Sequence, residues 1–182
     1  VYMGTGIGVG LVLNNRLYRG SQNYAGEIGH VKYGVTSDSE TTACCTCGRN
    51  TCLEAHMRHN LHADNIQEFI AESGKSGKLI DENMKREFKR QIGFIMNLLI
   101  NLLNIDFLIF NGRTAELFEG IWENREAIKK EYALSIQGDN CYTFLGANHS
   151  GCVAEGAAMC AYHDYMISRN DEIDEIEWPI ID

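Results

Sequence analysis

The sequence predicts an α/β domain in which helices pack on a mixed sheet, and three observations carry that prediction. Apolar hairpin strands come first, and helix, strand, helix, strand and helix patterns follow them in turn. Over 182 residues, an apolar fraction of 45% and a charged fraction of 23% are ordinary globular values, which excludes a disordered or fibrous chain and allows a sizeable core. No apolar run approaches the roughly 18 residues of a membrane-spanning helix; the richest, Phe94 to Leu103, is broken by Asn97 and Asn101. A soluble domain of the cytoplasm, with no membrane partner, is the expectation.

Each element has its own signal. Residues 9–18 read as an apolar strand, an Asn14-Asn15 turn and a returning strand, because asparagine tolerates the left-handed conformation of a two-residue hairpin turn. Residues 31–44 are polar and read as a surface loop, and residues 53–73 have helix-like spacing. The strongest helix covers about Asp81 to Leu103. Met84, Phe88, Ile92, Ile95, Met96, Leu99, Leu102 and Leu103 recur there at three- and four-residue steps, so the helix should begin at the surface and end in the core. Asp106 to Phe110 reads as a buried strand stopped by Asn111-Gly112. A second helix is expected over about Ala115 to Lys130, a strand over about Cys141 to Leu145, and a third helix from about Gly151 to Arg169. The third carries a face of small residues: Cys152, Ala154, Gly156, Ala157, Cys160 and Ala161. Gly74-Lys-Ser-Gly-Lys78 lacks the leading glycine of a phosphate loop, since position 69 is Phe, and reads as a solvated turn. Residues 1–170 are read as one folded unit and 171–182 as an acidic tail.

Two clusters carry the chemistry. Gly4-Thr5-Gly6-Ile7-Gly8-Val9-Gly10 could bring backbone N–H groups against a phosphate, although alternating glycines also serve tight bends, and Val9 stands where a dinucleotide fingerprint needs glycine. The second runs from Gly26-Glu27-Ile28-Gly29-His30 to Cys45-Thr46-Cys47-Gly48-Arg49-Asn50-Thr51-Cys52-Leu53-Glu54. Three cysteines and a histidine can close a tetrahedral structural zinc site, and metal binding would order the loop they span. The alternative is a set of core thiols beside an unrelated histidine. Cys44 is an extra candidate that could replace Cys45.

Gly-Thr-Gly-Ile-Gly, Gly-Glu-Ile-Gly-His and Cys-x-Cys-Gly-x-x-x-Cys-Leu-Glu together resemble the ROK family of bacterial sugar-responsive repressors and sugar kinases. The resemblance covers about residues 1–168 and leans toward the repressor branch, of the xylose-repressor type. It implies the second lobe of an actin-like ATPase (ribonuclease H-like) fold, with a zinc loop over 30–54. It also implies zinc ligation by His30, Cys45, Cys47 and Cys52, and sugar hydroxyl contacts from Glu27, His30 and Glu54. Were ATP bound, Gly4, Thr5, Gly6 and Gly8 would form the phosphate loop.

The departures favour a sensor over a catalyst. The His30-to-Cys45 loop is about five residues longer than the family's usual spacing, and Thr51 replaces a common glycine. The family's general-base aspartate precedes the Gly-Thr-Gly strand and would lie upstream of Val1, so the chain is expected to be a fragment without catalytic residues of its own. Phe110-Asn111-Gly112-Arg113 stands where the kinases place three glycines beside adenine, and the segment from Asn148 to Ala158 looks more like the repressors. The expected function is the sugar-sensing lobe of a ROK-type repressor. Such a protein would be a homo-oligomer that contacts DNA only through a segment absent from this chain. The alternatives are the second lobe of an ATP-dependent hexose kinase and a zinc-stabilised assembly module without ligand. The net charge of −9 argues against nucleic-acid contact by this piece, although six of the 25 acids lie in the tail, leaving 19 acids against 16 bases in the body.

Overall fold

The computed structural model describes residues 1–33, 45–61, 80–146 and 155–162. The described residues fall into two compact units, one within 1–9 and 27–146 and the other from 10–26 and 155–162. The strands are β1 Tyr2–Met3, β2 Ile7–Gly8, β3 Leu11–Leu13, β4 Arg16–Tyr18, β5 Phe107–Phe110 and β6 Tyr142–Leu145. The helices of the first unit are α1 Leu53–Asn60, α2 Glu82–Leu103, α3 Arg113–Leu117, α4 Glu119–Trp122, α5 Arg125–Tyr132 and α6 Ser135–Gly138, with a 3-10 turn at Ile28–His30.

In the first unit β1 and β2 pair antiparallel, with Tyr2 opposite Gly8 and Met3 opposite Ile7. β5 and β6 pair parallel, Phe107 opposite Tyr142 through Phe110 opposite Leu145. A parallel bridge between Tyr2 and Asn111 joins the two ladders: the Asn111 N–H donates to Val1 O (2.8 Å) and the Met3 N–H to Asn111 O (2.7 Å). Antiparallel and parallel pairs therefore meet at a single bridge, whereas the β3–β4 hairpin, expected to share the mixed sheet, is a two-stranded sheet of its own in the second unit. Gly112 follows this bridge at φ +104°, and a Cβ there would lie 2.4 Å from Met3 O. Gly112→Ala should therefore destabilise the protein by about 2–4 kcal/mol, through a left-handed strain and a backbone clash together. The check is the urea unfolding midpoint; an unchanged midpoint would mean that β1 moves aside freely.

α2 follows its sequence pattern closely. Asp81 caps it by accepting the Met84 N–H at 2.8 Å, and Asn104 ends it in the left-handed conformation at φ 49°. Met84, Phe88, Ile92, Ile95, Met96, Leu99 and Ile100 are buried, as three- and four-residue spacing requires. The two asparagines that interrupt the apolar run hold the end of α5: Asn97 and Asn101 donate to Tyr132 O at 2.8 and 3.3 Å, and Asn101 Oδ1 accepts the Leu134 N–H at 2.8 Å. Gly93 admits the Tyr132 ring, since a Cβ there would lie 2.5 Å from that ring. The end of the helix is less buried than its composition suggests, with Leu102 77% exposed.

Two elements depart from the sequence reading. The expected helix over 115–130 is three short helices, broken at Phe118 (φ −109°) and Asn124 (φ −101°). The break lets the Phe118 ring stack on Phe88 at 4.0 Å and the Trp122 indole reach back to donate to Ala115 O at 2.9 Å, so aromatic packing outweighs helix continuity. β5 is buried on one face only. Leu108 and Phe110 point inward, Phe110 against Trp122 at 4.8 Å, whereas Phe107 and Ile109 are exposed beside Tyr142 and Phe144. An apolar run in a strand of period two does not reveal whether both faces are covered.

In the second unit β3 and β4 form the expected hairpin, with Leu13 opposite Arg16 and both Asn14 (φ 52°) and Asn15 (φ 58°) left-handed, as a type I′ turn requires. Residues 155–162, inside the third expected helix, are helical, and the small residues Gly156, Ala157 and Ala161 are exposed there. The rest of that helix, the 74–78 turn and the tail lie outside the described residues.

Candidate metal centre and ligand site

Local backbone pairing brings the cysteine loop to His30. The Leu53 N–H donates to Val31 O (3.0 Å) and the Tyr33 N–H to Thr51 O (2.9 Å), flanking an antiparallel bridge between Lys32 and Cys52. His30, at the end of the 3-10 turn, is thereby set beside Cys52. Within the loop, Cys45 to Gly48 forms a turn: the Gly48 N–H donates to Cys45 O (2.9 Å) and the Cys45 N–H to Arg49 O (3.1 Å), with Gly48 at φ +80°. That fold turns Cys47 back toward Cys45, whose Sγ accepts the Cys47 N–H at 3.2 Å. The Tyr33 ring packs edge-on against Phe94 of α2 (5.1 Å) and anchors the assembly to the long helix.

The ligand atoms of His30, Cys45, Cys47 and Cys52 lie within 4.8 Å of one another. Cys45 Sγ stands 3.5 Å from His30 Nδ1. A tetrahedral zinc ion, with bonds of about 2.0–2.3 Å, separates such ligand atoms by about 3.5–3.8 Å, so these four residues fit a metal ion. The thiols are unequal without one. Burial pushes Cys45 up to about 12, with hydrogen bonding to Cys47 and Cys52 adding to it. The exposed Cys47 falls to about 6, chiefly through hydrogen bonding from Cys45 and then from the Arg49 backbone. A dication would draw all three into the thiolate form, which closely spaced thiols do not reach alone. Cys44 lies outside the described residues.

His30 uses its two nitrogens in different directions. Nδ1 faces the cysteines, while Nε2 lies 3.5 Å from Glu27 Oε2. A ligand on one nitrogen and a carboxylate near the other would fix the ring's orientation. Glu27 is more than half exposed and His30 about a quarter exposed, so both border solvent.

Glu54 is different: it is only 5% exposed. Its Oε2 accepts the Ile7 N–H of β2 at 3.4 Å, and its Oε1 accepts from Arg58 at 2.9 Å. Two glycines make room for it. A Cβ at Gly6 would stand 2.7 Å from Oε2, and one at Gly29 would stand 2.5 Å from Ile7 O and 3.4 Å from Oε2. Gly6 and Gly29 thus owe their identity to the carboxylate and the strand packed between them. Gly4 to Gly6 is the turn joining β1 to β2: the Gly4 N–H donates to Gly6 O (3.0 Å), and the buried Thr114 hydroxyl donates to Gly4 O (3.1 Å). Thr5 is exposed at its tip, and Gly8 has open space where a Cβ would stand. Across the bridge, Arg113 is exposed at the start of α3.

Sequence reasoning missed Arg58, although its signal was present as a glutamate and an arginine one helical turn apart. Of the histidines left without a role, His56 packs edge-on against Tyr33 at 5.2 Å. Burial, helped by the nearby His59, lowers its pKa.

The unit thus combines helices and short strands with a glycine-rich β-turn and a Cys3His loop beside a buried glutamate. The profile of the ROK family matches residues 1–162, and the protein belongs to that family. It is 23% identical over 194 residues to a putative xylose repressor of Caldicellulosiruptor sp. (strain Rt8B.4), a match covering 91% of this chain and 47% of that protein. It is 27% identical over 172 residues to an N-acetyl-D-glucosamine kinase of Vibrio vulnificus (strain YJ016), covering 86% of this chain and 56% of the kinase. The crystal structure of a ROK hexokinase from Thermus thermophilus superposes with a TM-score of 0.65 at 22% identity, over 91% of this chain and 57% of that one, and shares its fold. The chain spans about half the length of the curated relatives it matches. No helix among the described residues is long and apolar enough to cross a membrane.

Proposed function

We propose that residues 1–170 form the sugar-sensing lobe of a ROK-type transcriptional repressor. In this reading a structural zinc ion sits on His30, Cys45, Cys47 and Cys52, and Glu27, His30 and Glu54 accept or donate the hydrogen bonds of a sugar. The observation that carries it is Glu54, a carboxylate that is almost wholly buried and set against Gly6 and Gly29, which place no side chain beside it. Arg58 and the Ile7 N–H already compensate its burial, and the acceptor position left on each oxygen is what a sugar hydroxyl could use. Held by His30, Cys45, Cys47 and Cys52, a zinc ion would supply rigidity, fixing the His30 ring against Glu27 and tying the 45–52 loop to the 3-10 turn. Sugar binding would then shift a homo-oligomer in the cytoplasm away from the conformation in which a separate helix-turn-helix segment grips DNA. The xylose repressor matched over most of this chain supports the repressor branch.

The kinase reading has its own support in the Vibrio relative and in the turn at Gly4, Thr5 and Gly6 with Gly8 beyond it, of which Thr5 is exposed and Gly6 and Gly8 are partly so. Weighing against it is the Asn111-Gly112-Arg113 run, which stands where the family's kinases place three glycines beside adenine. Full-length protein given ATP with D-glucose, D-xylose, N-acetyl-D-glucosamine or N-acetyl-D-mannosamine should bind at least one of these sugars by calorimetry and phosphorylate none of them. Sustained turnover in a coupled ADP assay would overturn the repressor reading in favour of the kinase.

A further inference from the structure

The sugar-site reading leaves open how a buried carboxylate is kept in a productive orientation, and the ion pair on α1 answers it. Glu54 and Arg58 are four residues apart, one turn of helix, with Arg58 Nη2 donating to Glu54 Oε1 at 2.9 Å. Exposed pairs of this spacing count for little, but this one is not exposed: the side chains are 7% and 16% accessible for Glu54 and Arg58 respectively. Removing one partner of a buried pair leaves the other charge uncompensated.

The second oxygen is held from the opposite side. Ile7 N–H reaches Oε2 from β2 at 3.4 Å, so the carboxylate is gripped between helix and strand. Each oxygen keeps a further lone pair in the carboxylate plane, which leaves two acceptor positions pointing in fixed directions. Gly6 and Gly29 place no side chain beside that carboxylate. Such a group recognises adjacent hydroxyls of a neutral sugar ring, and it repels a ligand that presents a carboxylate or phosphate at the same place.

We infer that Arg58 is a positioning residue for sugar recognition, which fixes the Glu54 carboxylate through Oε1 so that its remaining acceptors match two adjacent hydroxyls of a neutral sugar. This rests on the reading of Glu54 as a sugar contact. In this role Arg58 works through Glu54, by removing before binding the rotational freedom that the ligand would otherwise have to restrict.

A double-mutant cycle on full-length protein tests it, with calorimetric Kd values for the tightest-binding sugar among D-glucose, D-xylose, N-acetyl-D-glucosamine and N-acetyl-D-mannosamine. Arg58→Met should weaken binding about tenfold, and Arg58→Lys, which keeps a cation in reach, should stay within about threefold of the native value. In the Glu54→Gln background, Arg58→Met should cause no further loss, and zinc content should be the same in every variant. Independent, multiplicative losses in the cycle would overturn the inference, because a merely structural arginine acts without Glu54. So would an Arg58→Met protein with native affinity, or an Arg58→Lys protein as impaired as Arg58→Met. Binding of none of the four sugars would overturn the sugar-site reading itself, whereas binding that Glu54→Gln weakens and Arg58→Met does not would overturn this inference alone.

Discussion

Purified protein should carry about one zinc ion per chain by elemental mass spectrometry, and Cys47→Ser or Cys52→Ala should remove it. The expected effect is large, because structural zinc sites of this composition bind with an apparent free energy of about 10–16 kcal/mol near neutral pH, much of which is local folding energy. The structure indicates where that folding would be lost. His30, Cys45, Cys47 and Cys52 belong to a segment held by two flanking backbone bonds, Leu53 N–H to Val31 O and Tyr33 N–H to Thr51 O. Within the loop the Cys45–Arg49 turn adds the Gly48 N–H to Cys45 O and the Cys45 N–H to Arg49 O. Stripping the metal with a chelator should therefore speed hydrogen exchange at the amides of Tyr33, Cys45, Gly48 and Leu53, while α2 amides such as Ile95 stay protected by their buried contacts. A metal-free protein with unchanged protection at those four amides would remove the ligand assignment.

Replacing Glu54 with Gln in the full-length protein should weaken sugar binding by about 1–3 kcal/mol, the scale of leaving buried hydroxyl partners unmatched. The substitution keeps the size of the side chain but replaces one acceptor oxygen with a donor NH2. It leaves Arg58 facing a neutral amide and turns one of the two grips on the carboxylate into a donor-to-donor contact whichever way the amide is turned. Zinc content and the thermal melt separate the two ways this can fail. A variant that melts as the native protein and keeps its metal yet binds sugar with native affinity takes Glu54 out of the site. Glu27, which is more than half exposed, should give a smaller loss on the same substitution, because solvent can replace the bonds it makes.

Much of the framework is legible from residue order. The α2 helix follows from apolar spacing between Met84 and Ile100 with a capping Asp81, and the β3–β4 hairpin follows from Asn14-Asn15, because both signals are local. The Cys3His cluster is also legible, since the loop from Cys45 to Cys52 is short enough for spacing alone to limit the chemistry. What was not legible depends on partners distant in sequence. The helix expected over 115–130 breaks because the Phe118 ring finds Phe88, 30 positions earlier, and no local pattern contains that contact. The one-sided burial of β5 depends on which elements cover each face of a sheet, which an apolar run does not state.

The site divides along the same line. By itself the sequence determined a candidate donor set, His30 with closely spaced cysteines, because that is a matter of residue type and local spacing, whereas Glu27 and Glu54 entered only through the resemblance to the ROK family. Only the tertiary structure decided that Glu54 is buried against Gly6 and Gly29, that Ile7 and Arg58 grip its two oxygens, and that His30 divides its nitrogens between the cysteines and Glu27. Glu54 and Gly6 are 48 positions apart. Contacts at that separation are set by how β2, the 3-10 turn and α1 pack together, and packing is a property of the folded chain rather than of any window of its sequence.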